Sequence, residues 1–531
     1  MSLNEINSSD YQPSGSGKPY YIPMPPPNIT GKLHMGHALG ITIQDTLARH
    51  YRNQGYDTLY LPGQDHAGYA TQDKIELELL EKRYQKELDD NILFSLTCQK
   101  TAKELAQDHW QDIIDDNDSR ILPTFSEEEK LAFASDWEKY HRSFIKEQTM
   151  GMMASADWSK ERYTLDQGMI DATIHAFNEL YYKGLIYEKD GKWYLKQKEL
   201  TQPIYDAIAS GELTIYPENA KTKLLQTPDG DELSNLRDWE ISREGWWGIK
   251  MPIWYNEQGE QIIALSSEMV QILTGKNNQI TQTNLIFDTW FTSTLWTFAA
   301  LGYPYTTELM ERYYPAALLE TGEDILYFWG TRMMMMGYAL TGKLPYKTIY
   351  LHGLIRDNKG RKMSKSLGNG ILPEEMLDKY GLDATRFALL SNTYAGQDLK
   401  LTEDKFIAGS RFTNKIWNAA KFILANTINE QPLQDGKNIN YFANDLNDSL
   451  IDLETEFNQL IAEYKFAQAS TLARDYFFNT FSGFYIERYK QHFSDDEIAS
   501  YALRNGFKKY LNLINPIMPS ITKYLKQQLG D

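Results

Sequence analysis

Two histidines three residues apart, His34 and His37, stand in the stretch PNITGKLHMGH. Imidazoles at that spacing can ligate a metal, donate hydrogen bonds to phosphate oxygens as charge develops, or simply pack. A metal site wants further ligands, and neither a cysteine nor another histidine lies close in sequence. His50 and His66 could join only through folding. The phosphate reading gains from the flanking pattern. A short strand, YYIPM, runs into the pair. GHALGITIQDTLARHYRNQGY then continues with helical periodicity, with Leu39, Ile43, Leu47 and Tyr51 on one stripe and Gly55 at its end. A helix N-terminus offers unsatisfied N–H groups and the positive end of a dipole, so it attracts anions. Gly31 and Gly36 let a large ligand approach the backbone.

A second constellation is GRKMSKSLGN, Gly360 to Asn369. Lys362 and Lys365 are three apart and flanked by serines and glycines. Ammonium groups on a glycine-hinged loop can close over a polyphosphate. A solvated basic loop is the plainer reading of the same residues, and RDNKGRKMSKSLGNG as a whole reads as a mobile surface loop.

The elements that must position these groups follow from pattern. DTLYLPGQDHAG reads as a short strand and a glycine-containing loop, which completes a β-α-β unit and implies a parallel sheet. Residues 75–200 read as largely helical. QTPDGDELSN carries the turn signal Pro228-Asp229-Gly230. Strands are expected in LIFDTWF and KTIYLHGLI. From about Phe406 the chain reads as continuous amphipathic helix, for which a bundle is the natural architecture.

Bulk properties bound the answer. A chain of 531 residues allows roughly two to four domains. No apolar run is long enough to span a bilayer, and the polar start MSLNEINSSDYQPSGSGKPYY has no secretory h-region. Cys98 is the only cysteine, which excludes internal disulfides and cysteine-built zinc sites and makes the cytoplasm the default location. A net charge of −18 argues against wrapping nucleic acid by bulk charge, though not against a local basic patch.

An H-x-G-H-type element early in the chain with K-M-S-K-S far downstream resembles the paired signatures of class I aminoacyl-tRNA synthetases. GQDHAGYATQ, ADWSKERYTLD, ISREGWWGIKMPIWY, FDTWFTSTLWTFAALGYP, GEDILYFWGTRM and NKIWNAAKF are similar, in order, to segments of the valyl members of that family. The resemblance implies an α/β fold, a split Rossmann-type parallel sheet with a C-terminal α-helical bundle. It divides the chain into a flexible leader (1–17), a first catalytic half (18–140), a connective segment (141–237), a second catalytic half with the lysine loop (238–405) and a truncated anticodon-binding bundle (406–531). It implies ATP-dependent activation of valine to valyl-adenylate with release of pyrophosphate, followed by transfer to tRNA(Val). By this resemblance His34, His37, Lys362 and Lys365 are catalytic. Gly36, Gly322, Asp324, His352, Leu354, Met363, Ser364 and Ser366 bind ATP. Pro25, Pro26, Asn28, Asp65, Trp290, Ile325 and Trp329 form the amino-acid pocket, Asn28 and Asp65 at the ammonium and the rest as its apolar wall. Mg²⁺ accompanies ATP, no zinc or other protein-held metal is expected, no membrane is involved, and the chain is expected to be a monomer. For the tryptophans, a place in the core is the bland alternative.

Set against the family, the sequence departs in places. The stretch between Glu199 and DWEISREGWWG is too short for the usual editing domain, and the family's C-terminal coiled coil is expected to be absent after NPIMPSITKYLKQQLGD. Tyr69 replaces a small aliphatic residue, and Glu240 and Glu244 place negative charge where an acceptor end would enter. Two alternatives therefore stand beside the tRNA-charging enzyme: a paralogue that activates valine or an analogue for a non-canonical acceptor, and a non-catalytic module that senses amino acid or tRNA.

Overall fold

The computed structural model describes residues 11–90, 100–116, 125–227, 229–274, 279–357, 359–361, 363, 371–430 and 441–530. Its centre is a set of parallel strands: β1 (Pro19–Pro23), β2 (Asp57–Leu61), β3 (Thr214–Tyr216), β4 (Leu319–Gly322) and β5 (Thr348–His352). β1 pairs with β2, and β5 lies between β4 and β3. The two groups meet where the Ala317 N–H donates to the Tyr21 carbonyl at 2.8 Å. Because every pairing is parallel, the carboxyl ends of the strands open on one edge, where α/β sheets bind ligands.

Both faces of this sheet are buried, as parallel sheets require. Tyr20, Ile22, Tyr60 and Tyr350 point into a core shared with helix α1 (Met35–Asn53) and the C-terminal helices. Their neighbours Tyr21, Leu59, Leu61, Ile349 and Leu351 point into a second core with the Met333–Met336 run. The period-two alternation of strand side chains divides the apolar residues between the faces. α1 crosses from β1 to β2 and lies so close to β4 that a Cβ at Gly40 would stand 3.0 Å from a Glu320 oxygen.

The C-terminal part is helical, with apolar stripes turned inward along Glu403–Asn426, Tyr441–Ala462, Glu497–Ile514 and Pro519–Leu529. A buried charge cluster ties it to the sheet domain. Arg386 is fully buried, stands 2.7 Å from Asp45 on α1, and donates to the carbonyls of Met152, Pro516 and Ile517. Among the described residues, no helix is long and apolar enough to cross a membrane.

Several elements differ from the sequence reading. Residues 75–200 contain an antiparallel hairpin, Ile186–Lys189 with Lys192–Leu195. The strand in LIFDTWF stops at Phe287, because the Asp288 carboxylate accepts from the Trp290 N–H and starts a helix. β3 comes from the stretch read as connective, yet it pairs with β5 in the central sheet. The helical tail is segmented, not continuous. Most of the lysine loop, with Lys362, Ser364, Lys365 and Ser366, lies outside the described residues.

Candidate active site

His34 is the N-cap of α1, and with His37 it forms a reciprocal capping box. The Gly36 N–H donates to His34 Nδ1 at 3.0 Å, and the His34 N–H donates to His37 Nδ1 at 3.2 Å. An Nδ1 that accepts places the proton of a neutral imidazole on Nε2. The rings, 4.0 Å apart between centroids, thus each carry an Nε2–H donor. The helix amides are less available than the sequence suggested. Gly36 bonds to His34, and the Met35 N–H donates to the Ile371 carbonyl at 3.3 Å. Local capping satisfies them first. Gly36 makes room for the His34 ring, which a Cβ there would meet at 2.8 Å.

Among the described residues, neither His50 nor His66 completes a metal site with this pair. His50 lies about 24 Å further along the same helix, buried, with burial pushing it down to about 4. His66 contacts Thr164 Oγ1 at 2.7 Å through Nδ1, and burial pushes it down to about 3. Among the described residues, no three His, Cys, Asp or Glu side chains converge on a metal site.

Asn28 and Asp65 come together as partners in an isolated parallel bridge, and the Ile29 N–H donates to the Asp65 carbonyl at 3.0 Å. Asp65 is 5% exposed. Burial raises its carboxyl to about 6, against the pull of donors from the Ala67 N–H, Thr289 and Thr164. The chain turns sharply after it, with Ala67 and Gly68 both at positive φ. A buried, half-starved carboxylate of this kind wants a cation.

Thr289 carries the apolar wall to Asp65, since Trp290 is the next residue and stacks on Phe328 with centroids 6.2 Å apart. Phe328 was not identified from sequence; it lies one residue before Trp329. Pro25 and Pro26 are half-buried, held from behind by the Trp296 indole N–H on the Met24 carbonyl at 2.9 Å. Ile325 is half-buried and packs against the second core. Trp329 is almost wholly buried, and its indole donates to the Ser293 carbonyl at 3.0 Å, so its first role is packing.

On the other half of the edge, Gly322 at the end of β4 is in register with His352 at the end of β5. The point where a Gly322 Cβ would sit lies 2.7 Å from Asp324 Oδ1 and 3.4 Å from His352 Nε2. The Leu354 N–H is taken by Asp398 at 2.8 Å and its carbonyl accepts from Leu399 at 2.9 Å. Met363 is buried and its N–H donates to the Ile355 carbonyl at 3.1 Å. Glu320 was missed from sequence. The available signal was a carboxylate directly after the apolar run AALL, in the strand that leads to Gly322.

The departures at Tyr69 and Glu240 have a local explanation, and the glutamate side chain at 244 has none. The Tyr69 phenol donates to the Glu244 carbonyl. The Trp246 indole donates to Glu76 at 2.6 Å, and the Trp247 indole donates to the His66 carbonyl at 3.0 Å. The 244–247 segment is thereby strapped to the Asp65 loop and to α2 (Tyr69–Asp90). A Cβ on Gly245 would stand 3.3 Å from the Tyr69 ring, so the large residue and the glycine complement each other. Glu240 faces Lys192 at 3.3 Å and Arg243 at 3.8 Å, which offsets its charge.

The chain matches the family model described as tRNA synthetases class I (I, L, M and V) over residues 6–116, 111–191 and 189–402. It also matches the anticodon-binding domain of tRNA ligase over 444–531. It is similar to the valine--tRNA ligase of Pseudothermotoga lettingae, 28% identical over 711 residues, covering 99% of this chain and 78% of that one. The valine--tRNA ligase of Clostridium tetani is 30% identical, with 95% and 75% covered. Among solved structures, a ternary complex of Agrobacterium radiobacter K84 LeuRS with tRNA and LeuAMS has a TM-score of 0.71 at 15% identity, covering 100% of this chain and 88% of that one. Mycobacterium tuberculosis methionyl-tRNA synthetase in complex with methionyl-adenylate has a TM-score of 0.67 at 17% identity, with 96% and 93% covered.

Proposed function

Because the chain belongs to the class I tRNA synthetases of the I, L, M and V group, we propose that it is a valine-activating ligase that uses ATP and passes valine to tRNA. The observation that carries this reading is the convergence at one sheet edge. Asn28 and Asp65 offer oxygens to an ammonium, Trp290 with Phe328 offers an apolar wall, and the His34–His37 pair offers two imidazole donors. The valine carboxylate attacks the α-phosphorus of ATP, a new P–O bond forms, and the bond to the bridging oxygen breaks to release pyrophosphate. No side chain bonds covalently, so the chain contributes positioning and stabilisation of negative charge. Mg²⁺ enters with ATP, held by phosphate oxygens and water. Lys362 and Lys365 are proposed to close on the phosphates from the downstream loop.

The same reading holds that the chain does not proofread. In support, the alignment with the Pseudothermotoga relative runs over 711 residues while this chain has 531, so about 180 positions there face no residue here. The short stretch after Leu200 is used up by a few helical turns and by β3. A valine pocket rejects the isosteric threonine only about a hundredfold. Pyrophosphate exchange across an amino-acid panel, followed by charging of purified tRNA, tests the proposal. Valine must support exchange best, threonine must be activated weakly, and Thr-tRNA must survive incubation with the protein. Exchange with no amino acid would refute the enzyme reading. Exchange without tRNA charging would favour the paralogue with another acceptor.

A further inference from the structure

The mechanism above makes no use of a buried carboxylate in the middle of the sheet. Glu320, on β4, is 1% exposed. One carboxylate oxygen accepts from the Gln44 side-chain amide of α1 at 2.5 Å, and the other contacts His352 Nδ1 on β5. Gln44 is itself fixed from its oxygen side, where the Tyr60 phenol of β2 donates at 2.9 Å. Three strands and a helix are thus linked in one chain of contacts, Tyr60 to Gln44 to Glu320 to His352. An ionised carboxylate only accepts, so the His352 nitrogen that faces it is the protonated Nδ1, and the ring is held by its back edge. Its front edge, Nε2, lies 3.4 Å from where a Cβ on Gly322 would stand, and Asp324 Oδ1 lies 2.7 Å from the same point. Glu320 and Asp324 are the carboxylates that act on His352. Burial opposes its charge, yet together they hold it above its ordinary value.

A gap over a glycine, flanked by a carboxylate oxygen and an oriented imidazole nitrogen, suits two adjacent hydroxyls. We infer that Glu320 is a positioning residue that fixes His352 so that Nε2 and the Asp324 carboxylate grip the ribose diol of ATP. This rests on the nucleotide site proposed above. A glutamine at position 320 keeps the size but replaces one carboxylate oxygen with an NH2. Gln44 and His352 contact different oxygens, so in the same pose one of them faces a donor, and the ring loses its anchor or changes tautomer.

Pyrophosphate exchange with ATP, 2′-deoxyATP and 3′-deoxyATP is the test, read as ratios of kcat/KM. The unaltered protein should prefer ATP over at least one deoxy analogue by about tenfold or more, the worth of a hydrogen bond to a charged group. Glu320→Gln and His352→Ala should each erase most of that preference while leaving the KM for valine unchanged. The double variant should be no worse than His352→Ala alone. Equal use of all three nucleotides by the unaltered protein would overturn the inference and leave the enzyme reading standing. So would a Glu320→Gln protein that keeps full discrimination, or single effects that multiply in the double variant. No exchange even with ATP would overturn both.

Discussion

Asp65 should make amino-acid binding fall away in mild acid. Its carboxyl titrates at about 6 in the empty protein because burial disfavours the charge. An ammonium binds the ionised form, so the apparent Kd is the intrinsic Kd divided by the ionised fraction. At pH 7 about nine-tenths is ionised and the penalty is negligible; at pH 5 about one-tenth is ionised and the apparent Kd rises about tenfold. Neither the carboxyl nor the ammonium of valine titrates in this window. Calorimetric titration of valine without ATP, from pH 5 to 8, reads the effect at the amino-acid subsite alone. Asp65→Asn should remove the pH dependence and weaken binding by on the order of a hundredfold, through loss of a charge-assisted contact. The stability sign is opposite to that of an ordinary paired aspartate. With the native pKa above the unfolded 3.8, the native state binds more protons between pH 4 and 6, so stability falls as pH rises through that window. Asp65→Asn should therefore raise the stability of the empty protein at pH 7 by about 1–3 kcal/mol. A flat binding profile between pH 5 and 7, or an asparagine variant that binds valine normally, would refute the assignment of Asp65 to the ammonium.

Other perturbations separate roles. Arg386→Met leaves Asp45 with Arg49 alone as counter-ion and takes a donor from the carbonyls of Met152, Pro516 and Ile517, of which Pro516 keeps Thr46 Oγ1, so it should cost about 3–5 kcal/mol; an unchanged thermal transition would show the cluster to be dispensable. His34→Asn keeps a good helix cap and loses the Nε2–H donor, so kcat should drop about 10²–10³-fold with little change in melting temperature. His34→Ala should lower both. Gly245→Ala would bring a methyl to 2.9 Å from Ile286 Cδ1 and 3.3 Å from the Tyr69 ring. It should destabilise by about 1–3 kcal/mol, and Tyr69→Ala in the same chain should recover part of that, which denaturant titration of the single and double variants measures.

The sequence determined much of this protein by local chemistry. The apolar stripe of α1, the proline-bounded strand YYIPM and the turn glycine Gly55 set a β-α-β unit, because those choices depend on neighbours a few residues away. The histidine pair declared itself by spacing, and the six segments similar to valyl members placed the family. Tertiary structure decided what local pattern cannot encode. It spent the amides of the α1 N-terminus on His34 and Ile371, so the imidazoles became the donors. It brought Asn28 to Asp65 and Thr289 to the same carboxylate, and buried that carboxylate until its proton affinity rose. It turned Trp329 into the core while leaving Phe328 stacked on Trp290. Above all, it gave Glu320 its partners: a charge inside a strand is unreadable until α1 and β5 deliver Gln44 and His352 to it, with Tyr60 of β2 behind Gln44. A buried charge is held by partners far apart in the chain, so only the fold could name them.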